Sequence, residues 1–254
     1  MSEPSADARE PTADGAPLFL VDELPDAVEV TVDGAEGRHA VDVLRLTAGE
    51  RVKVADGRGL LVEAPCRRRA ARLRVQVQTR IEVPAPQPEF VLVQALPKGD
   101  RGPLAVDLAT ELGVDRIVPW TAARCVTRWR EDRVEKGLAK WRSAARAASK
   151  QARRPRVPEV TEPMTTRQVI GLLADVDLTL VLHEQARDPF ARVEVPATGT
   201  VAVVVGPEGG LTDGEVVAFR AAGARSVRLG AEVLRTSTAG AAALAALSAK
   251  TRWG

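Results

Sequence analysis

Two glycine-containing segments near the end of the chain each follow an apolar run and precede a helical pattern. The first, residues 201–215, reads VAVVVGPEGGLTDGE, and the second, residues 229–239, reads LGAEVLRTSTA. Ligands of open α/β sheets bind where the carboxyl ends of strands meet the N-termini of helices. The two segments therefore predict loops that can converge on one ligand pocket.

The residue types in the first loop limit the ligand that it can hold. The loop has neither the Gly-Lys-Ser/Thr of a Walker loop nor a GxGxxG fingerprint, which disfavours a phosphate cradle. Pro207 lacks an N–H, and Gly209 and Gly210 permit positive φ, so the loop suits a neutral ligand edge. A tight turn without a ligand is the alternative. Leu182 and His183 end another apolar run, where a histidine can also make purely structural hydrogen bonds.

The elements that would position these loops belong to the second of two predicted domains. Residues 17–82 alternate apolar and polar positions between turn signals, as in RLRVQVQ, and predict a small β domain. Three prolines predict a stiff linker at 83–88. Residues 89–254 alternate apolar runs with helical patterns, which indicates an α/β domain with a mostly parallel sheet covered on both faces. Thr212 or Asp213 is expected to cap one of its helices.

Composition excludes several classes of protein. Residues 1–16 are acid-rich and lack an apolar core, so they predict a disordered tail and not a signal peptide. No apolar run approaches the ~18 residues that cross a bilayer, which favours a cytoplasmic protein. Cys66 and Cys125, with two histidines, cannot fill a four-ligand zinc site without carboxylates, so no metal is expected. Reduced, half-buried thiols are expected, with a single disulfide as the alternative.

The net charge of +2 hides an uneven distribution of charge. Residues 124–156 hold twelve Lys or Arg against three acids, and residues 66–81 hold six Arg and no acid. Two basic segments on an otherwise acidic chain indicate a polyanionic ligand. A solvated helix face and an arginine-rich edge strand are the alternatives. Aromatic residues make up only 3%, with no Tyr, which argues against a surface built on base stacking.

At these segments the sequence resembles a known family. VVVGPEGGLTDGEV followed by RLGAEVLRTSTA is similar to the paired signature of the SPOUT methyltransferases, in particular the bacterial 16S ribosomal RNA uracil-N3-methyltransferases. GRHAVDVLRLTAGERVKVADG resembles the PUA-like RNA-binding domain of that family. LVQALPKGDR, ATELGVDRIVPWTAARC and KQARRPRVPEV resemble its central segments. Several motifs in the family's order are far more specific than any one of them.

The resemblance implies both a fold and a function. It implies a PUA-like β-barrel, an α/β domain with a trefoil knot, a homodimer and the cofactor S-adenosylmethionine. The implied reaction is methylation of N3 of one uridine, U1498, in the 16S rRNA of the 30S subunit. By position, Arg235 and Glu208 would act in catalysis, and Arg45, Arg124 and Arg154 would contact RNA. The residues implied for cofactor binding are Leu182, His183, Gly206, Pro207, Gly209, Gly210, Leu229, Gly230, Leu234, Thr236, Thr238 and Ala239.

The chain departs from the family's pattern at four positions. Glu232 and Leu18 stand where Arg is usual, Ser237 where Glu is usual, and Leu108 where Lys is common. The cofactor loops match, so these departures bear on how the target base is oriented and deprotonated. The alternative functions are a non-catalytic ribosome-assembly factor that keeps the fold, and a SPOUT enzyme that acts on another RNA atom.

N3 methylation sets chemical requirements for the site. The imide proton must leave, and the N3 lone pair must align with the sulfonium methyl group. Our hypothesis is that Arg235 stabilises the developing uracilate oxygen as an oxyanion hole would. The alternative is that Arg235 caps a helix or pairs with Glu208. By location, Glu208, Glu184 and His183 are candidates for the base, with water or hydroxide as the alternative.

RNA phosphates would meet the basic segment 124–156. Helical spacing places Arg133, Lys136 and Lys140 on one face of the predicted helix. A second basic set lies on nearly the opposite face, so one face at most can contact RNA unless a dimer presents both. Trp129 and Trp141 are either stacking or core residues, and core packing is favoured for Trp141. The second set consists of Arg142, Arg146, Lys150 and Arg153.

Overall fold

The computed structural model describes residues 15–69 and 72–253 of the 254-residue chain. The chain divides into two compact units, Met1–Pro84 and Ala85–Gly254, and this division falls inside the segment predicted as a linker. Most of the predicted tail lies outside the described residues. Its last residue, Ala16, is nevertheless buried, and the neighbouring Pro17 carbonyl accepts a hydrogen bond from the Lys53 N–H. Ordered packing therefore begins earlier than predicted.

The first unit is built from short strands joined by turns. A five-residue helix, α1 (Gly34–Arg38), runs into a π-helix (His39–Val43). The strands are β1 (Leu18–Leu20), β2 (Glu29–Val32), β3 (Arg51–Ala55), β4 (Leu60–Arg69), β5 (Arg72–Gln76) and β6 (Thr79–Glu82). Their order is β1-β3-β4-β5-β2, with β6 also on β4; the β1-β3 pair is parallel and the other pairs are antiparallel.

The faces of this sheet differ because apolar and polar residues alternate along its strands. In β5, Leu73 and Val75 are fully buried, whereas Arg72 is exposed. The turn DGRG, residues 56–59, connects β3 and β4 into an antiparallel hairpin. Gly57 and Gly59 adopt φ of +76° and +115° in this turn, a region that a Cβ atom disfavours.

The second unit alternates strands and helices, as the sequence predicts. The strands are β7 (Glu89–Ala95), β8 (Arg116–Thr121), β9 (Glu159–Val160), β10 (Met164–Thr165), β11 (Leu178–Leu182), β12 (Asp188–Pro189), β13 (Thr200–Val205) and β14 (Arg225–Arg228). The helices are α2 (Arg101–Glu111), α3 (Glu131–Gln151), α4 (Thr166–Leu173), α5 (Asp213–Ala221) and α6 (Thr236–Thr251), with a 3-10 turn at Phe190–Arg192.

All strand pairs in this unit are parallel among the described residues. The order is β10-β8-β7-β13-β11-β14-β12, with β9 also on β8. The central strands β7 and β13 are apolar without alternation and almost entirely buried, as expected for a sheet covered on both faces. Helix α6 packs closely on them: a Cβ atom at Gly240 would lie 2.9 Å from Leu92 Cδ1.

Three charged side chains meet at the amino-terminal edge of this sheet. The Asp115 carboxylate accepts hydrogen bonds from Arg252 and, at 2.9 Å, from the Phe90 N–H. Arg154 donates to the carbonyls of Thr110 (2.6 Å) and Val114 (2.8 Å), and lies 3.5 Å from Asp115. Burial lowers the pKa of the Arg154 guanidinium, and Asp115 opposes that shift. We call Asp115, Arg154 and Arg252 the amino-edge cluster.

Candidate functional site

Four neighbouring parallel strands end together at the opposite edge. In sheet order, β7, β13, β11 and β14 end at Ala95, Val205, Leu182 and Arg228. The loops that follow therefore begin side by side, and both glycine segments are among them. The Thr236 hydroxyl donates to the carbonyl that follows Val205, across 3.2 Å, and joins the two glycine segments directly. Their predicted convergence is confirmed.

The first glycine loop is a tight turn with close neighbours. The Gly210 N–H donates to the Pro207 carbonyl at 2.9 Å, and Gly210 has φ of +72°. A Cβ atom at Gly209 would lie 3.1 Å from Arg124 Cβ. Geometry therefore explains why each position is a glycine. Gly210 adopts a left-handed conformation, and Gly209 allows Arg124 to approach the loop closely.

Arg124 holds this loop from outside. Its Nη1 donates to the carbonyls of Gly209 (3.0 Å) and Leu211 (3.1 Å), while the residue as a whole is exposed. The side chain predicted to face RNA thus also fixes the shape of the glycine loop. Its second role depends on packing between segments more than 80 residues apart, which sequence periodicity does not reveal.

Glu215 anchors the other end of the loop from a buried position. Thr212 caps α5 and forms a capping box with Glu215, which confirms one of the two predicted caps. The Glu215 carboxylate also accepts from the Ala123 N–H at 2.8 Å and from Thr166 at 3.3 Å. Burial alone would raise the pKa of this carboxyl, but its hydrogen bonds outweigh burial and lower the pKa. A charged carboxylate therefore joins three loops at this edge.

Glu208 ties the glycine loop to the first turn of α2. Its Oε1 accepts from the Lys98 N–H at 3.1 Å and lies 3.9 Å from an Arg101 nitrogen. The side chain is 31% exposed, so the carboxylate stays within reach of solvent and of a ligand. Its position suits the role considered for it in the sequence analysis, as a candidate acceptor of the N3 proton.

Arg235 caps α6 through its backbone. Its carbonyl accepts from the N–H groups of Thr238 and Ala239, both at 2.9 Å, and from the Thr238 hydroxyl at 3.1 Å. Its side chain makes no capping hydrogen bond, and within residues 15–69 and 72–253 no carboxylate pairs with its guanidinium. Of the two predicted alternatives, the helix cap is therefore confirmed, through the backbone alone, and the pair with Glu208 is absent from this part of the chain.

His183 follows β11 and has a defined hydrogen-bond pattern. The backbone N–H of His183 donates to the Val227 carbonyl at 3.0 Å. Its ring Nδ1 accepts a hydrogen bond from the backbone N–H of Gln185 at 3.2 Å. This bond requires an unprotonated Nδ1. The ring is half-buried, and both its structural and its functional interpretation agree with this geometry.

These loops enclose an open cavity of about 600 Å³, a size typical of small-molecule sites. Thr238 is the one predicted cofactor residue that does not line it; its hydroxyl is bonded to the Arg235 carbonyl. The predicted residues that do line the cavity are Arg124, Leu182, His183, Gly206, Pro207, Glu208, Gly209, Gly210, Leu229, Gly230, Leu234, Arg235, Thr236 and Ala239. One cavity thus gathers residues at or after the ends of four strands, β8, β11, β13 and β14.

Sequence analysis missed three charged residues in the cavity wall: Arg101, Asp213 and Arg228. Arg228 is the last residue of β14, and the other two begin helices at the same edge of the sheet. The rule that ligands bind at strand carboxyl ends could have identified them. Glu232, noted as a departure from the family, also lines the cavity.

The other two predicted RNA contacts belong to different parts of the chain: Arg45 to the first unit, and Arg154 to the opposite edge of the parallel sheet. Arg45 is exposed in the first unit and has φ of +52°, which is uncommon for a residue with a side chain. Arg154 belongs to the amino-edge cluster, where its side chain is only 15% exposed and donates to carbonyls. An RNA contact by Arg154 therefore loses its physical basis, because its donors already serve the fold.

The basic segment contains two unlike helix faces. On α3, Lys136 and Lys140 are exposed, and Arg133 lies 3.9 Å from the equally exposed Asp132. On the other face, Arg142 donates to Glu162 at 2.9 Å. The predicted core position of Trp141 is confirmed: it is 3% exposed and packs edge-to-face on Trp129.

Other kinds of site are not built in the described part of the chain. Neither residues 15–69 nor 72–253 contain a group of three or more His, Cys, Asp and Glu side chains that could hold a metal. No described helix is long and apolar enough to cross a membrane. Cys66 and Cys125 are free, and burial raises the pKa of both thiols.

Comparison with known proteins agrees with this architecture. A family described as an RNA methyltransferase domain matches residues 84–248, and one described as an RNA methyltransferase PUA domain matches residues 32–64. Ribosomal RNA small subunit methyltransferase E of Mycobacterium bovis is 45% identical over 246 residues, 94% of each chain. The protein of that name from Bacillus subtilis is 28% identical and covers 90% of this chain and 93% of its own.

Solved structures show the same fold. A ribosomal RNA small subunit methyltransferase E from Neisseria gonorrhoeae, bound to S-adenosyl methionine, has a TM-score of 0.79 and 28% identity; the match covers 93% of this chain and 98% of that one. Fold, site and comparisons together define an RNA methyltransferase of the SPOUT class with a PUA-like domain. The chain belongs to the ribosomal RNA small subunit methyltransferase E family. The trefoil knot stays a prediction.

Proposed function

We propose that the chain transfers a methyl group from S-adenosylmethionine to N3 of one uridine, U1498, in 16S rRNA. The observation that carries this proposal is the convergence of the two glycine loops on one cavity, with the Arg235 guanidinium, which has no carboxylate partner among the described residues, in its wall. Membership of an rRNA methyltransferase family supports the reaction type, and a relative with S-adenosyl methionine bound supports the cofactor.

The cavity suits this cofactor in size and in the types of residue that line it. Its backbone-rich wall at Gly206, Gly210 and Leu229 offers amides and carbonyls to an adenine edge, and Leu182 and Leu234 offer apolar surface. When bound, the cofactor supplies an electrophilic methyl group on a sulfonium. The cavity loops would fix the position of that methyl group, because hydrogen bonds join them to one another, as between Thr236 and Gly206 and between Arg124 and Gly209.

Arg235 has the properties that charge stabilisation requires. Deprotonated uracil carries negative charge on its oxygens, and a cation held beside them stabilises that charge as it develops. The backbone of Arg235 is fixed at the start of α6, while its guanidinium is uncommitted in the described part of the chain. No side chain within residues 15–69 and 72–253 therefore has to release the guanidinium when the base arrives.

The acceptor of the N3 proton is among three side chains at this edge, or is water. Glu208, His183 and Glu184 all line the cavity. A general base must lie within hydrogen-bond reach of the proton that it takes. We therefore expect the acidic limb of the pH–rate profile to disappear in one of Glu208→Gln, His183→Gln and Glu184→Gln. An unchanged limb in all three variants would assign the proton to water or hydroxide.

The exposed face of α3 is the better candidate for RNA contact. Lys136 and Lys140 lie on it, whereas Arg142 is paired with Glu162 on the other face. Phosphate contacts of this kind weaken as salt rises.

A ribosomal RNA substrate would place the protein in the cytoplasm. The homodimer is part of the same proposal, and light scattering on the purified full-length chain measures it.

The test is transfer of a labelled methyl group to RNA from a deletion strain. Naked 16S rRNA and 30S subunits are incubated separately with protein and labelled cofactor, and the modified nucleotide is mapped by mass spectrometry. We expect 3-methyluridine at one position. A methyl group on a ribose oxygen would assign a different SPOUT reaction. Cofactor binding without transfer to either substrate would favour the non-catalytic assembly factor.

A further inference from the structure

Arg124 contacts the first glycine loop with only one end of its guanidinium group. Its Nη1 donates to the Gly209 carbonyl at 3.0 Å and to the Leu211 carbonyl at 3.1 Å. A guanidinium carries five N–H donors, two on each terminal nitrogen and one on Nε. Both donors of Nη1 are therefore engaged, whereas Nε and Nη2 have no partner within residues 15–69 and 72–253.

The free edge of the Arg124 guanidinium has the geometry that recognises phosphate. Nε and Nη2 lie on the same edge of the planar group, and two parallel N–H donors match two phosphate oxygens. The residue is exposed and lines the cavity, and no carboxylate pairs with it in the described part of the chain. An anion from outside the chain can therefore bind this edge while Nη1 remains bonded to the loop.

Arg124 differs in this respect from the other arginines of the cavity wall. Arg101 lies 3.9 Å from the Glu208 carboxylate. The side chains of Arg228 and Arg235 donate to no backbone carbonyl among the described residues. Within that part of the chain, Arg124 alone among these four arginines combines hydrogen bonds to the glycine loop with a free edge.

The backbone that carries Arg124 is held in place from the other side. The N–H of the preceding Ala123 donates to the buried Glu215 carboxylate at 2.8 Å. A Cβ atom at Gly209 would lie 3.1 Å from Arg124 Cβ, so the loop packs directly against the base of this side chain. The remaining freedom lies in the long side chain itself, and its ordering has an entropic cost. A ligand that fixes the guanidinium therefore also helps to fix the loop.

The loop held by Arg124 is joined to the second glycine segment. Leu211 is buried, and its Cδ2 would lie 2.9 Å from a Cβ atom at Gly206. The Gly206 carbonyl accepts from the Thr236 hydroxyl at 3.2 Å. A contiguous set of contacts thus runs from the exposed guanidinium through the first loop to the second. These two loops form the wall against which S-adenosylmethionine is proposed to bind.

We propose that Arg124 is a positioning residue that makes RNA and cofactor bind with positive cooperativity. Its free edge binds a backbone phosphate of the RNA, and the guanidinium fixed in this way holds the cofactor loop more firmly. The sign is positive because the phosphate and the loop use different donors and do not compete. Each ligand must raise the affinity of the other by the same factor. The identity of the two ligands rests on the proposed function, whereas the division of the guanidinium donors does not.

Calorimetry on the full-length protein measures this coupling with S-adenosylhomocysteine, which is the cofactor without its methyl group. Its affinity is measured alone and with a saturating 16S rRNA fragment, and fluorescence anisotropy gives the reciprocal effect on RNA affinity. For the wild type we expect each ligand to raise the affinity of the other about fivefold. Arg124→Lys keeps the charge but loses the planar fork, so this factor should fall below about twofold. The control Arg220→Lys, at an exposed position of α5, should keep the wild-type factor.

A second variant disturbs the same contact without changing the guanidinium. Gly209→Ala places a methyl group 3.1 Å from Arg124 Cβ, so the loop and the arginine must shift apart. We expect the coupling factor to fall in this variant also. Melting curves identify a temperature at which every variant is folded, and the factors are compared at that temperature.

Three results would overturn the proposal. The first is a wild-type affinity for S-adenosylhomocysteine that stays the same or falls when RNA is added; a fall would mean that phosphate draws Arg124 away from the loop. The second is an unchanged coupling factor in Arg124→Lys or Gly209→Ala, because a purely structural role lowers cofactor affinity equally with and without RNA. The third is an equal loss of coupling in Arg220→Lys.

The coupling measurement does not depend on the proposed reaction, because S-adenosylhomocysteine has no methyl group to transfer. If the wild type methylates no RNA, the proposed function fails, and the coupling factor still decides whether Arg124 joins the two sites. If methyl transfer occurs without coupling, only this inference fails. During turnover, we expect the KM of the wild type for S-adenosylmethionine to fall as RNA is added, and that of Arg124→Lys to stay constant.

Discussion

The two edges of the parallel sheet use the same kinds of side chain in opposite ways. At the amino edge, Asp115, Arg154 and Arg252 are 11–16% exposed, and the one carboxylate pairs with both guanidinium groups. At the carboxyl edge, Arg235 and Glu232 face an open cavity, and Arg235 has no ion-pair partner in the described residues. The charged side chains at the amino edge can only serve the fold, whereas those at the carboxyl edge are available to a ligand.

The difference shows that residue type and local pattern do not assign a role to an arginine. Arg154 and Arg235 both stand in motifs that resemble the family, yet one donates to the interior and the other lines a cavity. The partners that each side chain has already acquired decide what it can still bind. The following substitutions test this difference, in order of decreasing expected effect.

Removal of the central carboxylate should damage the amino edge most. Asp115→Ala leaves two buried guanidinium groups without their anion, and the loss of unfolding free energy should be about 3–5 kcal/mol. Urea denaturation measures it. Asp175→Ala removes an exposed carboxylate from the same unit and should change stability by less than about 0.5 kcal/mol. Equal effects of the two substitutions would refute a special role for the cluster.

Glu215 should make the stability of the carboxyl edge depend on pH. Its pKa is lower in the folded state, so its contribution is fully present above the unfolded value of about 4.3 and disappears as pH falls through the folded value. Glu215→Gln should lose about 2 kcal/mol at pH 7, and the difference from wild type should shrink below pH 4. Unfolding free energies measured across pH 3–7 test the sign, and a difference that grows in acid would contradict it.

A change of backbone conformation in the glycine loop should have the smallest effect. Gly210→Ala forces a Cβ atom into a conformation with φ of +72° and should destabilise the protein by about 1 kcal/mol. We expect affinity for S-adenosylmethionine, measured by calorimetry, to fall several-fold. Gly171→Ala lies within α4, has open space around it and should stabilise the protein slightly. If both variants bind the cofactor as the wild type does, the loop does not shape the site.

Local patterns predict most of the fold and the position of the site. The apolar run before Gly206 is β13, the strand predicted before Leu229 is β14, and the cap at Thr212 follows from short-range chemistry. Long-range contacts were not predictable. That Arg124 holds the Gly209 carbonyl depends on how distant segments pack. The inward orientation of the Arg154 side chain also depends on packing between distant segments. Nothing in its neighbouring sequence distinguishes it from a solvated arginine.

One paired measurement tests the contrast between the edges most directly: turnover, RNA affinity and unfolding free energy of Arg235→Ala and Arg154→Ala. We expect Arg235→Ala to lose about 100-fold in turnover, with its unfolding free energy within about 0.5 kcal/mol of the wild type. Arg154→Ala should lose about 3 kcal/mol of stability, while its folded fraction binds RNA as tightly as the wild type. Weakened RNA binding by a fully stable Arg154→Ala, or unfolding of Arg235→Ala with normal turnover, would contradict the roles assigned to the two edges.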